Sequence, residues 1–278
     1  MVPSFLITFR ETLEAALVVG ITLGYLARTG QKRYNAMVYG GVASGVVASV
    51  LGALLFNVIA GGFEGRAEQV FEGVTMIIGA VLLTTMIIWM RNQRNVAQDL
   101  EQRVAAEVST GRGWGLFALV FVAVLREGIE TVIFLGAATF SSGGNTLLGA
   151  LAGIAGALAF GYVLFTSASR VSVGTFFRVT SVLLVLFAAG LVAHGVHELE
   201  EARLLPPIIE HVWDINPPVN ADGSYPALHE NGSLGSVLKA LLGYNGNPSL
   251  LEVMSYSAYL GVVAWIWRSA PPKRMSSR

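Results

Sequence analysis

The stretch that decides the fold is "GWGLFALVFVAVLREGIETVIFLGAATF", residues 113–140. It is longer than the roughly 20 apolar residues that an α-helix needs to cross the hydrocarbon core of a bilayer. Three charged side chains nevertheless interrupt its middle, namely Arg126, Glu127 and Glu130. An ionised side chain at the centre of a membrane helix costs about 2.5–3.5 kcal/mol, so three of them together indicate a function.

The composition of the whole chain is that of an integral membrane protein. Of its 278 residues, 54% are hydrophobic and only 13% are charged, whereas about 25% are charged in a soluble globular domain. The net charge at pH 7 is zero, which gives no indication of nucleic acid as a partner, and membrane lipid is the expected surrounding. The chain has no cysteine, which excludes disulfides, thiolate metal sites and thiol redox chemistry.

Long apolar runs predict an all-α polytopic membrane protein with seven transmembrane helices. The predicted spans are residues 3–27, 36–60, 69–90, 114–140, 146–168, 179–199 and 250–267. A charged tract at 91–112 is expected to be a solvated helical loop, and the tract at 200–249 is the one long loop. Within that loop, "SLGSVLKALLGY" at 233–244 is expected to form a short amphipathic helix on the membrane surface.

The distribution of basic residues predicts the orientation of the chain. Thirteen of the eighteen lysines and arginines follow spans one, three and seven or join spans five and six, which places them all on one side. Three lie on the other side, and two lie within spans. Because basic loops stay in the cytoplasm, we expect a multi-pass protein of the cytoplasmic (inner) membrane with its N-terminus outside and its C-terminus in the cytoplasm.

The charged motif occurs twice, which indicates an internal repeat. "RETLEAALV" at 10–18 and "REGIETVIF" at 126–134 share the pattern R-E-x-x-E in the same register. They lie in spans one and four and so enter the membrane from opposite sides, as in inverted repeats, whose substrate sites lie near the midplane. We therefore expect a single transmembrane domain, 1–278, with an inverted 3+3 repeat plus one helix. Its segments are repeat one (1–90), a cytoplasmic helical loop (91–112), repeat two (113–199), an extracytoplasmic loop (200–249) and a seventh helix (250–267).

Helical spacing gives each motif one ion pair and one spare carboxylate. Residues four apart on a helix are neighbours, so Arg10 can pair with Glu14, and Arg126 with Glu130. Two facing motifs would bring four carboxylates together with a net charge of −2, which suits a multivalent cation. The four carboxylates are Glu11, Glu14, Glu127 and Glu130. The alternative is that the ion pairs only join helices, but a spare carboxylate in both copies is poorly explained that way.

Two further acidic segments are expected at the outer ends of spans three and six. "EGRAEQVFEG" begins at Glu64 and "HGVHELEEA" begins at His194. Imidazole and carboxylate groups together can bind iron among other transition metals, so we interpret these segments as an outer cluster that concentrates cations and passes them inward. The residues assigned to this outer cluster are Glu68, Glu72, His197, Glu198 and Glu201. For Glu68 and Glu201, a solvated helix end is the alternative.

The paired motifs in the first and fourth of seven spans resemble the FTR1/EfeU family of high-affinity iron permeases, whose motif is R-E-G-L-E. Thr12 replaces glycine in the first copy and Ile129 replaces leucine in the second, and neither change touches a charged position. The stretches "FEGVTMIIGAVLLTTMIIWM", "HGVHELEEA", "VWDIN" and "ALLGYNGNPSLLEVMSY" also resemble the family. The resemblance implies that the four motif carboxylates ligate iron on the permeation path and that the two motif arginines orient and partly neutralise them.

The same resemblance implies a permease, and not an enzyme, that imports Fe³⁺ or Fe²⁺ across the cytoplasmic membrane. It also implies periplasmic or cell-surface partner proteins that deliver iron in the correct valence, and no cofactor beyond the transported iron. The residues alone do not select iron, because carboxylate sites suit Mn²⁺, Ca²⁺ and Mg²⁺ as well. The alternatives are a transporter of another divalent cation such as Mn²⁺ and a membrane-embedded carboxylate-ligated metalloenzyme. Against the enzyme, the chain has neither an H-E-x-x-H motif nor a Glu-x-x-His pair.

Overall fold

The structure is a computed structural model that describes residues 1–92, 96–109, 111, 113–142, 146–166 and 173–269. Within these residues the chain is all-α, with nine α-helices, one short 3-10 turn and no strand. The helices are α1 (Val2–Arg28), α2 (Asn35–Ala60), α3 (Arg66–Asn92), α4 (Val96–Ser109), α5 (Gly113–Ser142), α6 (Leu147–Thr166), α7 (Val173–Glu201), α8 (Gly235–Leu242) and α9 (Leu250–Ser269).

Seven of these helices have at least 20 residues, and they occupy the seven predicted spans. Four of them, α2, α3, α7 and α9, are long and apolar enough to cross a membrane on length and composition alone. α6 contributes a shorter apolar stretch, Leu147–Val163. α1 and α5 are not identified as membrane spans on length and composition alone, because the charges of their R-E-x-x-E motifs lie near the middle of each helix. The prediction of an all-α protein with membrane-length helices is confirmed.

Small residues allow α2 and α5 to approach each other closely, as is common between helices in membranes. A Cβ atom at Gly41 would lie 2.8 Å from the backbone oxygen of Phe117. One turn later, a Cβ atom at Gly45 would lie 3.2 Å from the backbone oxygen of Phe121. Larger side chains at either glycine would therefore push the two helices apart.

α6 packs against α1 in a matching manner. A Cβ atom at Gly149 would collide with the backbone oxygen of Met1, and one at Gly153 would lie 2.5 Å from the backbone oxygen of Phe5. The two glycines are again one helical turn apart. Both motif-bearing helices, α1 and α5, are thus each held by a glycine-lined partner helix.

α3 and α7 form the third close pair. A Cβ atom at Gly73 would lie 2.8 Å from the backbone oxygen of Gly195, and a Cβ atom at Gly195 would lie 2.9 Å from the backbone oxygen of Gly73. These helices also contribute most of the largest buried hydrophobic cluster, to which α5, α1 and α9 add the remaining members. Its members include Met76, Leu83, Phe134, Leu184 and Leu191.

The long loop carries α8, and this helix packs into the bundle. α8 contacts α1, α5 and α7. Gly243, which follows α8 with a φ of 70°, lies so close to α7 that a Cβ atom at Gly190 would be 2.8 Å from the Cα of Gly243. The prediction of a helix within 233–244 is confirmed, and the helix packs against α7. Two glycines that meet at this point make the close approach possible.

The charged tract at 91–112 contains α4, which packs against the end of α1 and the start of α5. The guanidinium of Arg28 forms an ion pair with Glu101 at 2.5 Å, and Val104 is buried in one cluster with Leu26 and Leu116. The end of α1, α4 and the start of α5 therefore share one end of the bundle. Several of the basic residues on which the predicted orientation depends lie outside the described residues, namely Arg94, Arg112, Arg170, Lys273, Arg274 and Arg278.

Candidate ion-binding site

The two R-E-x-x-E motifs face each other because α1 and α5 are in contact. Both helices continue without a break through their motifs. Side chains three and four positions apart project from one face of a helix, so each motif presents its charged groups together. Glu11 is buried, and Glu14 and Glu127 are half-buried.

Three carboxylates from the two motifs converge on one point. One oxygen from each of Glu11, Glu14 and Glu127 lies within 4.8 Å of the other two. Divalent cations bind carboxylate oxygens at about 2.0–2.6 Å, so oxygens that share one ion lie up to about 4–5 Å apart. The three carboxylates are therefore close enough to hold a single cation together.

Arg10 is the charge that compensates this group. Its guanidinium is fully buried, with Nη1 3.3 Å from Oε1 of Glu11 and Nη2 3.1 Å from Oε1 of Glu14. Nη1 also donates to the thioether sulfur of Met86 in α3 at 2.7 Å. The arginine is thus contacted from two helices, α1 and α3.

The second motif is built differently from the first. Arg126 forms the predicted i,i+4 ion pair, with Nε donating to Oε1 of Glu130 at 2.7 Å, but its side chain is 50% exposed. Its guanidinium lies 5.5 Å from the centre of the Trp89 ring, within the range of a cation–π contact. Glu130 lies outside the group of three converging carboxylates and is occupied by this ion pair. The structure therefore brings together three of the four predicted ligands and places the fourth beside them.

Several carboxylate oxygens at this site remain available to a ligand. Oε2 of Glu11, Oε2 of Glu127 and Oε2 of Glu130 are buried, and within the described part of the chain none of them accepts a hydrogen bond. Leaving a buried acceptor unsatisfied costs about 1–3 kcal/mol, and more for a charged group. With all groups ionised, Glu11, Glu14, Glu127 and Arg10 carry a net charge of −2. The arrangement favours a divalent cation.

The predicted outer cluster is also assembled, where α3 meets α7. The amide of Gln69 in α3 donates to Glu201 of α7 at 3.0 Å. Nε2 of His197 lies 3.3 Å from Oε1 of Glu201, and Glu198 is close enough to Glu72 to repel it electrostatically. Carboxylates from both helices and one imidazole therefore face one another across this contact.

α3 connects the outer cluster to the central site. Glu72 of the outer cluster and Met86, which contacts Arg10 of the central site, are both in α3. Fourteen residues of α-helix span about 21 Å, which is more than half of the roughly 30 Å thickness of the hydrocarbon core. Glu68, one turn before Glu72, is exposed, as is Glu201.

The structure places Glu252 of α9, which the sequence-based assignment did not include, beside the outer cluster. Nδ1 of His197 lies 3.0 Å from Oε1 of Glu252. The carboxylate also accepts hydrogen bonds from the backbone N–H of Ser249 at 3.0 Å and from the amide of Asn245 at 2.7 Å. The S-x-x-E spacing of a helix-capping box was the signal in the sequence, but nothing there indicated the contact with His197.

Comparisons with known proteins give similarities over nearly the whole chain. Residues 1–268 match the iron permease FTR1 family. A ferrous iron permease EfeU of Shigella sonnei is 34% identical over 273 residues, which cover 97% of this chain and 95% of the relative. A ferrous iron permease EfeU of Yersinia pestis is 33% identical over 273 residues, which cover 97% of this chain and 93% of the relative. No solved structure matches the chain. Because the family match and both relatives cover nearly the whole chain, the chain belongs to the iron permease FTR1 family.

Proposed function

We propose that this permease imports iron as Fe²⁺ across the cytoplasmic membrane and that the ion passes through the site of Glu11, Glu14 and Glu127. The observation that carries the proposal is the convergence of these three carboxylates, one oxygen each within 4.8 Å, in the middle of two long helices. Their net charge of −2 together with Arg10 matches a divalent ion. Relatives named ferrous iron permeases support the same valence.

We propose that the chain has an inverted 3+3 repeat in which α1, α2 and α3 correspond to α5, α6 and α7. The glycine contacts support this. Gly41 and Gly45 meet the backbone of Phe117 and Phe121. Their counterparts are Gly149 and Gly153, which meet the backbone of Met1 and Phe5. In both pairs the contacted residues of α5 and α1 differ by 116 positions, the same offset that separates Arg126 from Arg10. The reciprocal contact of Gly73 with Gly195 is what a two-fold relation between α3 and α7 would produce.

In this proposal all seven long helices cross the membrane, with the N-terminus outside and the C-terminus in the cytoplasm. The single domain then divides into repeat one (1–90), the loop 91–112, repeat two (113–199), the outer loop 200–249 and the seventh helix 250–267. The outer cluster attracts the ion, and the midplane carboxylates replace part of its water shell. An inside-negative potential favours import of a divalent ion by about 4.6 kcal/mol per 100 mV.

Two features bear on the route of the ion. α8 contacts both motif-bearing helices and α7, and in this proposal it restricts access to the site from the outer side. The half-exposed guanidinium of Arg126 requires water or polar partners rather than lipid if α5 crosses the membrane. Rocking of one repeat against the other would open the two sides in turn. The transported iron is the only metal this mechanism requires, and outer partner proteins would supply it in the reduced state.

Uptake of labelled iron into sealed liposomes tests the proposal. The reconstituted protein is compared with E14Q and E127Q, and with E210Q as a matched control that removes an exposed carboxylate of the long loop. We expect ascorbate-reduced ⁵⁵Fe²⁺ to accumulate with the wild type and E210Q, and uptake to fall by at least about tenfold in E14Q and E127Q, since each loses one ligand.

Wild-type rates in E127Q would show that the central carboxylates are not on the path. Parallel assays with ferric citrate and with Mn²⁺ decide the substrate. Preferential uptake of Fe³⁺, or of Mn²⁺ in competition, would refute the assignment of Fe²⁺. Oxidation of iron without accumulation inside the vesicles would support the metalloenzyme alternative instead.

A further inference from the structure

A second group of possible metal ligands lies at the outer end of α7, where it shares His197 with the outer cluster but extends toward α9 rather than α3. One ligand atom from each of His197, Glu200 and Glu252 lies within 4.8 Å of the other two. Glu200 and Glu252 are 9% and 2% exposed. Two of the three residues are on α7 and the third is on α9, so the group exists only because these helices pack together.

Glu200 is the member whose surroundings indicate a missing ligand. Its Oε2 accepts a hydrogen bond from the hydroxyl of Ser249 at 2.5 Å. Its Oε1 is buried, and within the described ranges it accepts no hydrogen bond. A buried carboxylate with an unsatisfied oxygen is costly unless a cation approaches it.

The local charges do not balance. Glu252 pairs with His197, while Glu200 forms no ion pair with any residue that the structure describes. Two buried carboxylates therefore share one imidazole, and they carry excess negative charge whichever form the imidazole takes. A bound divalent cation would supply the missing positive charge.

The group is also held in place before any ion arrives. Ser249 and Glu252 form a reciprocal capping box at the start of α9, with Ser249 N–H donating to Glu252 at 3.0 Å and Glu252 N–H donating to the Ser249 hydroxyl at 3.2 Å. The amide of Asn245 fixes the other oxygen of Glu252 at 2.7 Å. Because the capping box also fixes Ser249, it positions the Glu200 carboxylate through the hydroxyl contact.

We propose that His197, Glu200 and Glu252 form a second binding site for a divalent transition-metal cation. One imidazole nitrogen with two carboxylates suits Fe²⁺, Co²⁺, Mn²⁺ or Zn²⁺ better than Ca²⁺ or Mg²⁺, which prefer oxygen ligands alone. The site selects for transition metals where the central, all-oxygen site does not. Its role as the first station of the transported ion rests on the proposed function, whereas metal binding itself does not.

Equilibrium dialysis of the purified full-length protein in detergent against Co²⁺, an air-stable stand-in for Fe²⁺, tests the site. Visible absorption of the bound Co²⁺ is recorded in parallel. The variants are H197A and E200Q in the second site, E127Q in the central site, and H211A, which removes an exposed histidine of the outer loop. Glu252 is left intact because it also caps α9. An unchanged size-exclusion profile identifies the folded variants.

We expect two Co²⁺ ions per chain for the wild type and H211A. H197A and E200Q should each weaken one of the two sites by roughly 100-fold, and H197A should lose the absorption contributed by nitrogen ligation. E127Q should lose the other ion and keep that absorption. Two undiminished ions in both H197A and E200Q would overturn the second site. Two undiminished ions in E127Q would instead refute the central site and the proposed function, and leave the second site standing.

Discussion

Replacing Arg10 with glutamine distinguishes the two motifs most clearly. The Arg10 guanidinium is fully buried and lies 3.3 Å from Glu11 and 3.1 Å from Glu14. Removing one partner of a buried ion pair costs about 3–5 kcal/mol, because the remaining charge is left uncompensated. Arg126 is half exposed in its pair with Glu130, and such exposed pairs contribute about 0–1 kcal/mol. We therefore expect R10Q to lower the folding equilibrium constant by about two to four orders of magnitude and R126Q by less than about tenfold.

Thermal unfolding of the purified variants in one detergent, followed by tryptophan fluorescence, measures the difference. The double variant R10Q/E14Q should recover part of the lost stability, because it removes one of the carboxylates that R10Q leaves uncompensated. Added Mn²⁺ should stabilise R10Q more than the wild type for the same reason. The reasoning is refuted if R126Q is as destabilising as R10Q, or if the double variant is less stable than R10Q alone.

Two further predictions concern helix packing. G153L should separate α6 from α1, so that size exclusion no longer gives a folded, monodisperse product. G52L should leave the product folded, because nothing lies within 4 Å of a Cβ atom at Gly52. Equal behaviour of the two variants would contradict the packing described. Y259F removes the hydroxyl that lies 2.6 Å from Oγ1 of Thr84 between α9 and α3, and it should lower the free energy of unfolding by about 1 kcal/mol. Because the Thr84 hydroxyl also donates to the backbone oxygen of Ala80, T84A combined with Y259F should lose less than the sum of the two single losses, and full additivity would argue against a shared hydrogen bond.

The helices were predictable because their signal is local. Apolar runs of membrane length gave all seven long helices, since a span needs about 20 apolar residues wherever it packs. The Arg10–Glu14 and Arg126–Glu130 ion pairs were predictable for the same reason, because i,i+4 neighbours meet on any helix.

The internal asymmetry of the central site was not predictable. The two motifs have the same pattern of charges, yet Arg10 is buried against Met86, and Arg126 is half exposed over Trp89. Both are tertiary contacts with α3, and neither leaves a trace in the motif. Glu130 lies outside the converging group although its i,i+4 ion pair matches that of Glu14, which lies inside it.

Other contacts between segments that are distant in sequence were not predictable either. His197 and Glu252 are 55 positions apart in sequence and meet only because α7 packs against α9. The S-x-x-E spacing predicts the cap of α9 but not which helix lies beside it. Likewise, the amphipathic pattern of 233–244 predicts a helix, but only the meeting of Gly190 with Gly243 places it against α7.

The central claim is that carboxylates from both motifs hold the ion together, and X-ray anomalous scattering from crystals soaked in Mn²⁺ or Fe²⁺ tests it most directly. The account predicts an anomalous peak at bonding distance, about 2.0–2.2 Å, from oxygens of Glu11, Glu14 and Glu127, and its loss in E127Q. A peak bound by one helix alone, or one that persists unchanged in E127Q, would contradict it.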